Sequence, residues 1–259
     1  MQRLLRSLFR ATPKKPQTTL SKTAVTTRPL TTTTATMTAS ALPTANGTAT
    51  TKPTAAPLSA DTFLALIKNR RTFYPLNKDL TITPARIQEL VAEALQHVPS
   101  SFNSQSNRVV VLFGAEHDKF WDITRDILKA IVPAEAWEAT GGKMAMFKAG
   151  AGTVLFFEDQ TVVEGMQERF AAYADRFPIW AGHSTAMLQF SVWTMLEAEG
   201  LGANLQHYNP LVDAKVAEEW KVPATWKLSA QLVFGGKVAE DAGPKTFAPL
   251  EEKFKVFGA

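Results

Sequence analysis

EGLGANLQHYNP, residues 199–210, is the stretch around which the chain organises itself. A long helical pattern runs into it from about His183 to Glu199, and Gly200 is the natural stop of that helix. LGANLQHYNP then turns extended, and Pro210 predicts a new helix through Trp220. Downstream, LSAQLVFGG (228–236) reads as the last strand. The tail GPKTFAPLEEKFKVFG (243–258) has too few neighbours in sequence to pack by itself, and is expected to run across another surface, that of a second subunit among them.

Upstream, Gly-flanked TVLFFED (153–159) reads as a buried strand, with a helix expected from about Val162 to Tyr173. Earlier still, Ser59 is a candidate N-cap for a helix through DTFLALIKNRR (61–71). Thr83 followed by Pro84 opens the next one. Ile87, Leu90, Val91, Ala94, Leu95 and Val98 form its apolar stripe, and Pro99 stops it. The polar loop SSFNSQSN (100–107) leads into RVVVLFG (108–114), a β-branched run of strand length. Glu116 to Ile131 returns to helical spacing, with Phe120, Ile123, Ile127 and Ile131 on one side. Helices and strands intermix without a βαβα alternation, and no GxGxxG follows a strand and opens a helix. The pattern predicts an α+β domain, a small mixed or antiparallel sheet between helices, and disfavours a Rossmann domain.

The formal net charge of +4 is the sum of two unlike parts. Residues 1–60 carry eight basic side chains and no acid; residues 61–259 carry 20 basic and 24 acidic ones. The basicity belongs to a tail rather than to a folded face, which argues against nucleic acid as a partner. MQRLLRSLFR places Arg3, Arg6 and Arg10 on one helical face and Leu4, Leu5, Leu8 and Phe9 on the other. Between Ala11 and Ala60 there is no aromatic residue, and Thr, Ala and Pro dominate. Residues 1–57 are therefore expected to be a mitochondrial-type targeting segment with a disordered linker. Residues 58–259 are expected to form the folded domain. An unstructured basic extension with no address, and a cytoplasmic protein, is the alternative. Recovery of organellar protein with an intact basic N-terminus would count against cleavage. The absence of cysteine excludes disulfides, thiolate metal sites and a cysteine nucleophile. His97, His117, His183 and His207 make no tight ligand pair, so no metal is expected. No apolar run reaches the ~18 residues of a spanning helix, so no stable membrane insertion is expected.

Three polar stations carry candidate chemistry. Arg70, Arg71 and Thr72 combine two guanidinium forks with a hydroxyl, an anion clamp in type; two solvated cations beside a helix C-terminus would look the same. Pro99 to Ser106 concentrates amides and hydroxyls able to read the edge of a planar heterocycle, or is an ordinary polar loop. In the third, Leu205, Gln206 and His207 follow a Gly-x-Gly that lets backbone approach a ligand closely. Trp193 reads as core or dimer-interface packing, and Trp180 and His183 as a cap region before the long helix, with an active-site wall as the alternative. Trp121, Trp137, Trp220 and Trp226 read as packing residues. Glu158 and Asp159 read as a solvated strand end, with reach into the site as the alternative.

The order of these stations resembles the nitroreductase family: RRT near the start, PSSFNSQ ahead of the first strand, EGLGANLQHYNP after a long helix, and a Lys near the C-terminus. The likeness covers about residues 60–257 and is narrower to the fungal and bacterial branch of fatty-acid-repression type. It implies an intertwined α+β homodimer binding FMN at the subunit interface. It implies hydride transfer from NADH or NADPH and electron delivery to nitroaromatics or quinones. By that resemblance, Arg70, Arg71, Thr72 and Lys245 hold the phosphate and ribityl chain. Pro99, Ser100, Ser101, Asn103 and Gln105 border the flavin ring from the other subunit. Leu205, Gln206 and His207 lie along its reactive edge. His207 is the candidate proton source, because imidazole is the side chain suited to giving up a proton near neutral pH. Phe247 stands where relatives carry a second basic residue, which throws weight onto Arg70 and Arg71, with Lys237 as a substitute. The alternative function is a flavin-binding redox sensor of lipid or oxidative stress that turns over slowly.

Overall fold

The computed structural model describes residues 59–259; the expected targeting segment lies outside them. Ser59 caps the first helix as expected, its hydroxyl accepting from the Thr62 N–H, and α1 spans Ala60–Asn69. It stops before Arg70, which is extended, so the two arginines leave the helix. A two-residue strand, β1 (Leu76–Asn77), follows unannounced by the sequence. Thr83 caps α2 (Pro84–His97), and Ile87, Val91 and Ala94 of the expected stripe are buried. Then come β2 (Asn107–Phe113) and α3 (Gly114–Ile131).

The next helix, α4 (Trp137–Lys148), was not anticipated. β3 (Gly152–Asp159) follows, then α5 (Gln160–Arg169), which ends four residues before Tyr173. The long helix α6 runs Phe177–Ala198, beginning six residues earlier than expected, so Trp180 and His183 lie inside it. β4 (Gly202–Gln206) leads to α7 (Asp213–Trp220), which starts three residues after Pro210. β5 (Trp226–Lys237) extends the expected strand at both ends.

All pairings described are antiparallel, which resolves the mixed-or-antiparallel expectation. The strands run β1-β5-β3-β2, with β4 also on β5. Alternation along β3 sorts the core into two layers: Leu155 and Phe157 pack with Phe120, Trp121 and Phe147, while Val154 and Phe156 pack with Ile87, Leu188 and Val192. A bulge skips Ser229 in β5, which turns Leu228 to the first layer although Ala230 and Leu232 face the second. The sheet is thus covered by helices on both faces, and its two ends are left to carry loops. The four tryptophans read as packing residues do pack in the first layer, with Trp121 fully buried.

His117 is fully buried beside that layer. With Nε2 protonated it donates to the Lys148 carbonyl (3.2 Å), and Nδ1 accepts from the Thr153 hydroxyl (2.8 Å), which in turn accepts from the Trp121 indole (3.0 Å). Burial, and then the positive charge of Lys78, push its pKa down to about 4. A histidine of folded pKa below its unfolded value contributes full stability above the unfolded pKa of ~6.5; the contribution falls as pH drops from there to about 4. The loss over that window is about 3 kcal/mol. Urea unfolding at pH 7.5 and 4.5 should show the wild type losing that much more than His117→Asn; equal losses would refute the assignment.

Candidate functional site

The chain leaving α1 runs along the free edge of β4. The Phe73 N–H donates to the Ala203 carbonyl (3.0 Å), and the Asn204 side chain donates to the Phe73 carbonyl (2.8 Å). Gly202 makes this approach possible: a Cβ there would meet Leu76 at 2.7 Å, Lys237 at 2.9 Å and Phe73 at 3.1 Å. Arg70, Arg71 and Thr72, all half-buried, are thereby set at the corner where β4 begins and β5 ends.

That corner is built around one carboxylate. Glu197, near the end of α6, accepts from the Arg71 backbone N–H with both oxygens (3.1 and 2.9 Å) and from the Trp193 indole (2.9 Å). The Arg70 guanidinium stacks 4.4 Å from the centre of the Trp193 ring. Lys237 lies 4.5 Å from the Phe73 ring, and the Arg71 guanidinium donates to the Gly243 carbonyl (2.7 Å). Burial raises the Glu197 pKa, opposed by the two N–H donors and by Lys237 and Arg70. Lys245 follows Gly243 by two residues and is exposed, its Nζ 5.3 Å from the Phe247 ring. The donor set fits a phosphate. Each guanidinium keeps free N–H groups, Thr72 adds a hydroxyl, and the neighbouring carboxylate is already engaged.

Leu205 and Gln206 are half-buried at the far end of β4 and His207 is exposed. Amide side chains fix this segment: Gln206 donates to the Asn204 oxygen (2.8 Å), and Gln231 accepts from the Tyr208 N–H (2.7 Å) and donates to Asn209 (3.2 Å). The Tyr208 ring packs edge-on against Trp121, and burial pushes its hydroxyl pKa up to about 12.

Pro99, Ser100, Ser101, Asn103 and Gln105 lie together in the loop before β2. The Ser100 hydroxyl accepts from the Gln105 N–H (2.9 Å) and the Ser100 carbonyl from the Asn103 N–H (2.9 Å). Phe102, Asn103 and Gln105 have φ of 56°, 53° and 52°, a left-handed conformation unusual for residues with side chains. Each costs on the order of 1 kcal/mol, and Asn less. Strain held in such a loop points to a ligand-facing role. The loop faces a cleft of about 260 Å³ lined also by Val98, Asn107 and Arg108. The exposed Phe102 ring rests within 4.9–5.9 Å of Phe170, Phe177 and Trp180.

The three stations are not gathered into one site within the chain. Register puts Ala203 level with Phe234, Gly152 and Phe113, six residues along β2 from the loop at Asn107. That is ~20 Å along the strands and, across three strand spacings, ~14 Å sideways, or ~25 Å on the diagonal. Arg70–Thr72 and the Ser100–Gln105 loop therefore occupy opposite corners of the sheet, with Leu205–His207 between them.

Some expectations need correction. Trp193 is more than packing, since it carries Arg70 on its face. Glu158 and Asp159 are not a solvated strand end. Asp159 is buried, paired with Arg108 (2.9 Å) and capping α5 through the Thr161 N–H (3.1 Å), while burial raises the Glu158 pKa. Glu197 escaped the sequence reading altogether; its only signal was its i,i+4 spacing from Trp193. Among the described residues no group of His, Cys, Asp and Glu is arranged to hold a metal ion, and no helix is long and apolar enough to cross a membrane.

The sequence matches the Nitroreductase family over residues 67–236. It is 40% identical over 189 residues to HBN1 of Saccharomyces cerevisiae, named as a candidate nitroreductase, covering 72% of this chain and 93% of HBN1. It is 38% identical over 175 residues to the nitroreductase FRM2 of the same yeast, covering 67% of this chain and 86% of FRM2. The structure resembles that of the nitroreductase CinD from Lactococcus lactis in complex with nicotinic acid, with 47% identity, a TM-score of 0.70, and coverage of 75% of this chain and 99% of CinD. CinD has also been solved with 4-nitrophenol.

Proposed function

The chain belongs to the nitroreductase family, and from that premise we propose that it is an FMN-dependent oxidoreductase whose site is completed by a second copy of the same chain. NADH or NADPH is its electron donor, and small nitroaromatic or quinone-type compounds are its acceptors. The observation that carries this reading is the diagonal separation of the two stations. A flavin mononucleotide gripped by Arg70 and Arg71 lies too far from the Ser100–Gln105 loop of its own chain, and needs that loop from a partner.

FMN, when bound, supplies the redox chemistry, taking hydride from NAD(P)H and passing electrons to the acceptor. This chain's residues supply the rest. Arg70, Arg71, Thr72 and Lys245, with Lys237 behind them, hold the phosphate and ribityl chain. Leu205 and Gln206 lie along the ring edge, and the exposed His207 is the proton donor to the departing product. The partner's loop is read as bordering the ring with its Ser and Asn groups, the left-handed residues aiming them. The tail supports the two-copy reading, because Phe247, Leu250, Phe254, Val256 and Phe257 are all exposed on the single chain. The CinD complexes support access for small planar aromatic molecules.

An absorbance spectrum of the purified chain tests the proposal. Flavin bands should be present, or appear after FMN is added; NADH should bleach them without oxygen, and a quinone or nitroaromatic should restore them. Protein that stays colourless with FMN would sink it. Flavin bands with slow turnover on every acceptor would favour the redox-sensor reading instead.

A further inference from the structure

We propose that Glu197 is the positioning residue of the phosphate clamp, a carboxylate placed behind Arg70 and Arg71 that fixes both without touching the ligand. The inference rests on the reading of that corner as a phosphate site.

A carboxylate beside a phosphate site would ordinarily repel the ligand and compete for its arginines. Here it does neither in the usual way. Glu197 makes no side-chain pair with Arg70 or Arg71; it takes the backbone N–H of Arg71, with both oxygens, and the indole N–H of Trp193. The first contact pins the main chain just where it leaves α1, between the Arg70 N–H that still bonds to the Leu66 carbonyl and the Phe73 N–H that joins β4. The second sets the plane of the ring on which the Arg70 guanidinium stacks. One residue thus fixes the Arg71 backbone directly and the Arg70 side chain through an intermediary. A guanidinium held in place before the ligand arrives loses less freedom on binding, so the fixed clamp binds more tightly than a free pair of arginines. Three cationic groups, Arg70, Arg71 and Lys237, outnumber the single carboxylate, so the corner remains net positive.

The Oε1 atom alone accepts from both Arg71 and Trp193. A glutamine with its carbonyl oxygen in that place keeps the Trp193 bond and the longer Arg71 bond but sets its NH2 donor against the Arg71 N–H where Oε2 accepts at 2.9 Å, whereas alanine keeps no bond at all. Affinities of the full chain for FMN and for riboflavin, which lacks the phosphate, are read by flavin fluorescence for wild type, Glu197→Ala, Glu197→Gln and Trp193→Leu. Wild type should prefer FMN. Glu197→Ala should lose about tenfold of that preference with riboflavin affinity within about twofold, and Glu197→Gln, which keeps the Trp193 bond, should fall between wild type and the alanine variant. Trp193→Leu, which removes the platform under Arg70, should also lose preference, and decides the matter if the alanine variant does not fold.

A role in stability alone would lower both affinities together. An alanine variant with full FMN preference, a Trp193→Leu variant with full preference, or equal losses for both flavins would overturn the proposal while leaving the flavin reading intact. A wild type that binds both flavins equally would remove the phosphate clamp, and this inference with it. A wild type that binds neither would end both readings.

Discussion

Replacing Arg70 and Arg71 together with Ala is expected to lower FMN affinity about 100-fold or more, with the fold and riboflavin binding retained. Each charge-assisted bond to a phosphate contributes on the order of 1.5–3 kcal/mol, and two neighbouring arginines do not add independently, so 100-fold is the conservative figure. The fold should survive for a local reason. The two bonds that anchor this stretch to Glu197 come from the Arg71 backbone, which alanine retains. The Arg71 side chain reaches only the Gly243 carbonyl in the tail. Flavin fluorescence titration measures the effect, and thermal unfolding checks the fold. FMN affinity within a few-fold of wild type would remove both arginines from the clamp.

Gly235→Ala is expected to destabilise the domain by at least about 3 kcal/mol, at the severe end of overpacking. A Cβ at Gly235 would sit 2.3 Å from the Asn77 carbonyl oxygen and 3.0 Å from the Ala151 nitrogen. Both are main-chain atoms, so no rotamer change relieves the clash. Moving Asn77 breaks the β1–β5 pairing at Gly236, and moving Ala151 breaks its bond to the Phe234 carbonyl (2.8 Å). Gly142→Ala is the control: it lies inside α4 with nothing within 4 Å of the added carbon, and should stabilise by up to about 1 kcal/mol. Urea unfolding of the two variants reads the contrast. Equal stabilities would mean that β5 has room it is not seen to have.

Much of the fold was legible because local chemistry and tertiary structure agree. Ser59 and Thr83 mark helix starts through bonds made within three or four residues, and Pro84 through its fixed φ and a missing N–H that the first turn does not need. The runs at 108–113 and 153–159 are strands because β-branched and aromatic residues there are covered by helices on both sides. α4 was hidden because WEATGGKMAMFK has two glycines and no apolar stripe; two of its side chains, Met144 and Phe147, are buried. The start of α6 was hidden by Pro178, which reads as a breaker but is tolerated in the first turn. At the site, the polar stations could be picked out because each is contiguous. Glu197 could not, since its partner Arg71 lies 126 positions away and nothing local marks a carboxylate for a distant backbone N–H. Nor could a sequence show that the stations sit at opposite corners, because that follows from strand order and register.

The corner arrangement bears on how damage would be inherited by an assembly. On the two-copy reading, every complete site borrows one half from each chain. A lesion at Arg70 in one copy and a lesion at Asn103 in the other then fall on the same site and leave the second site whole. Two chains, each inactive when paired with itself, would together regain half of their sites by intersubunit complementation. The same two lesions carried by one chain, paired with an intact one, would spoil both sites.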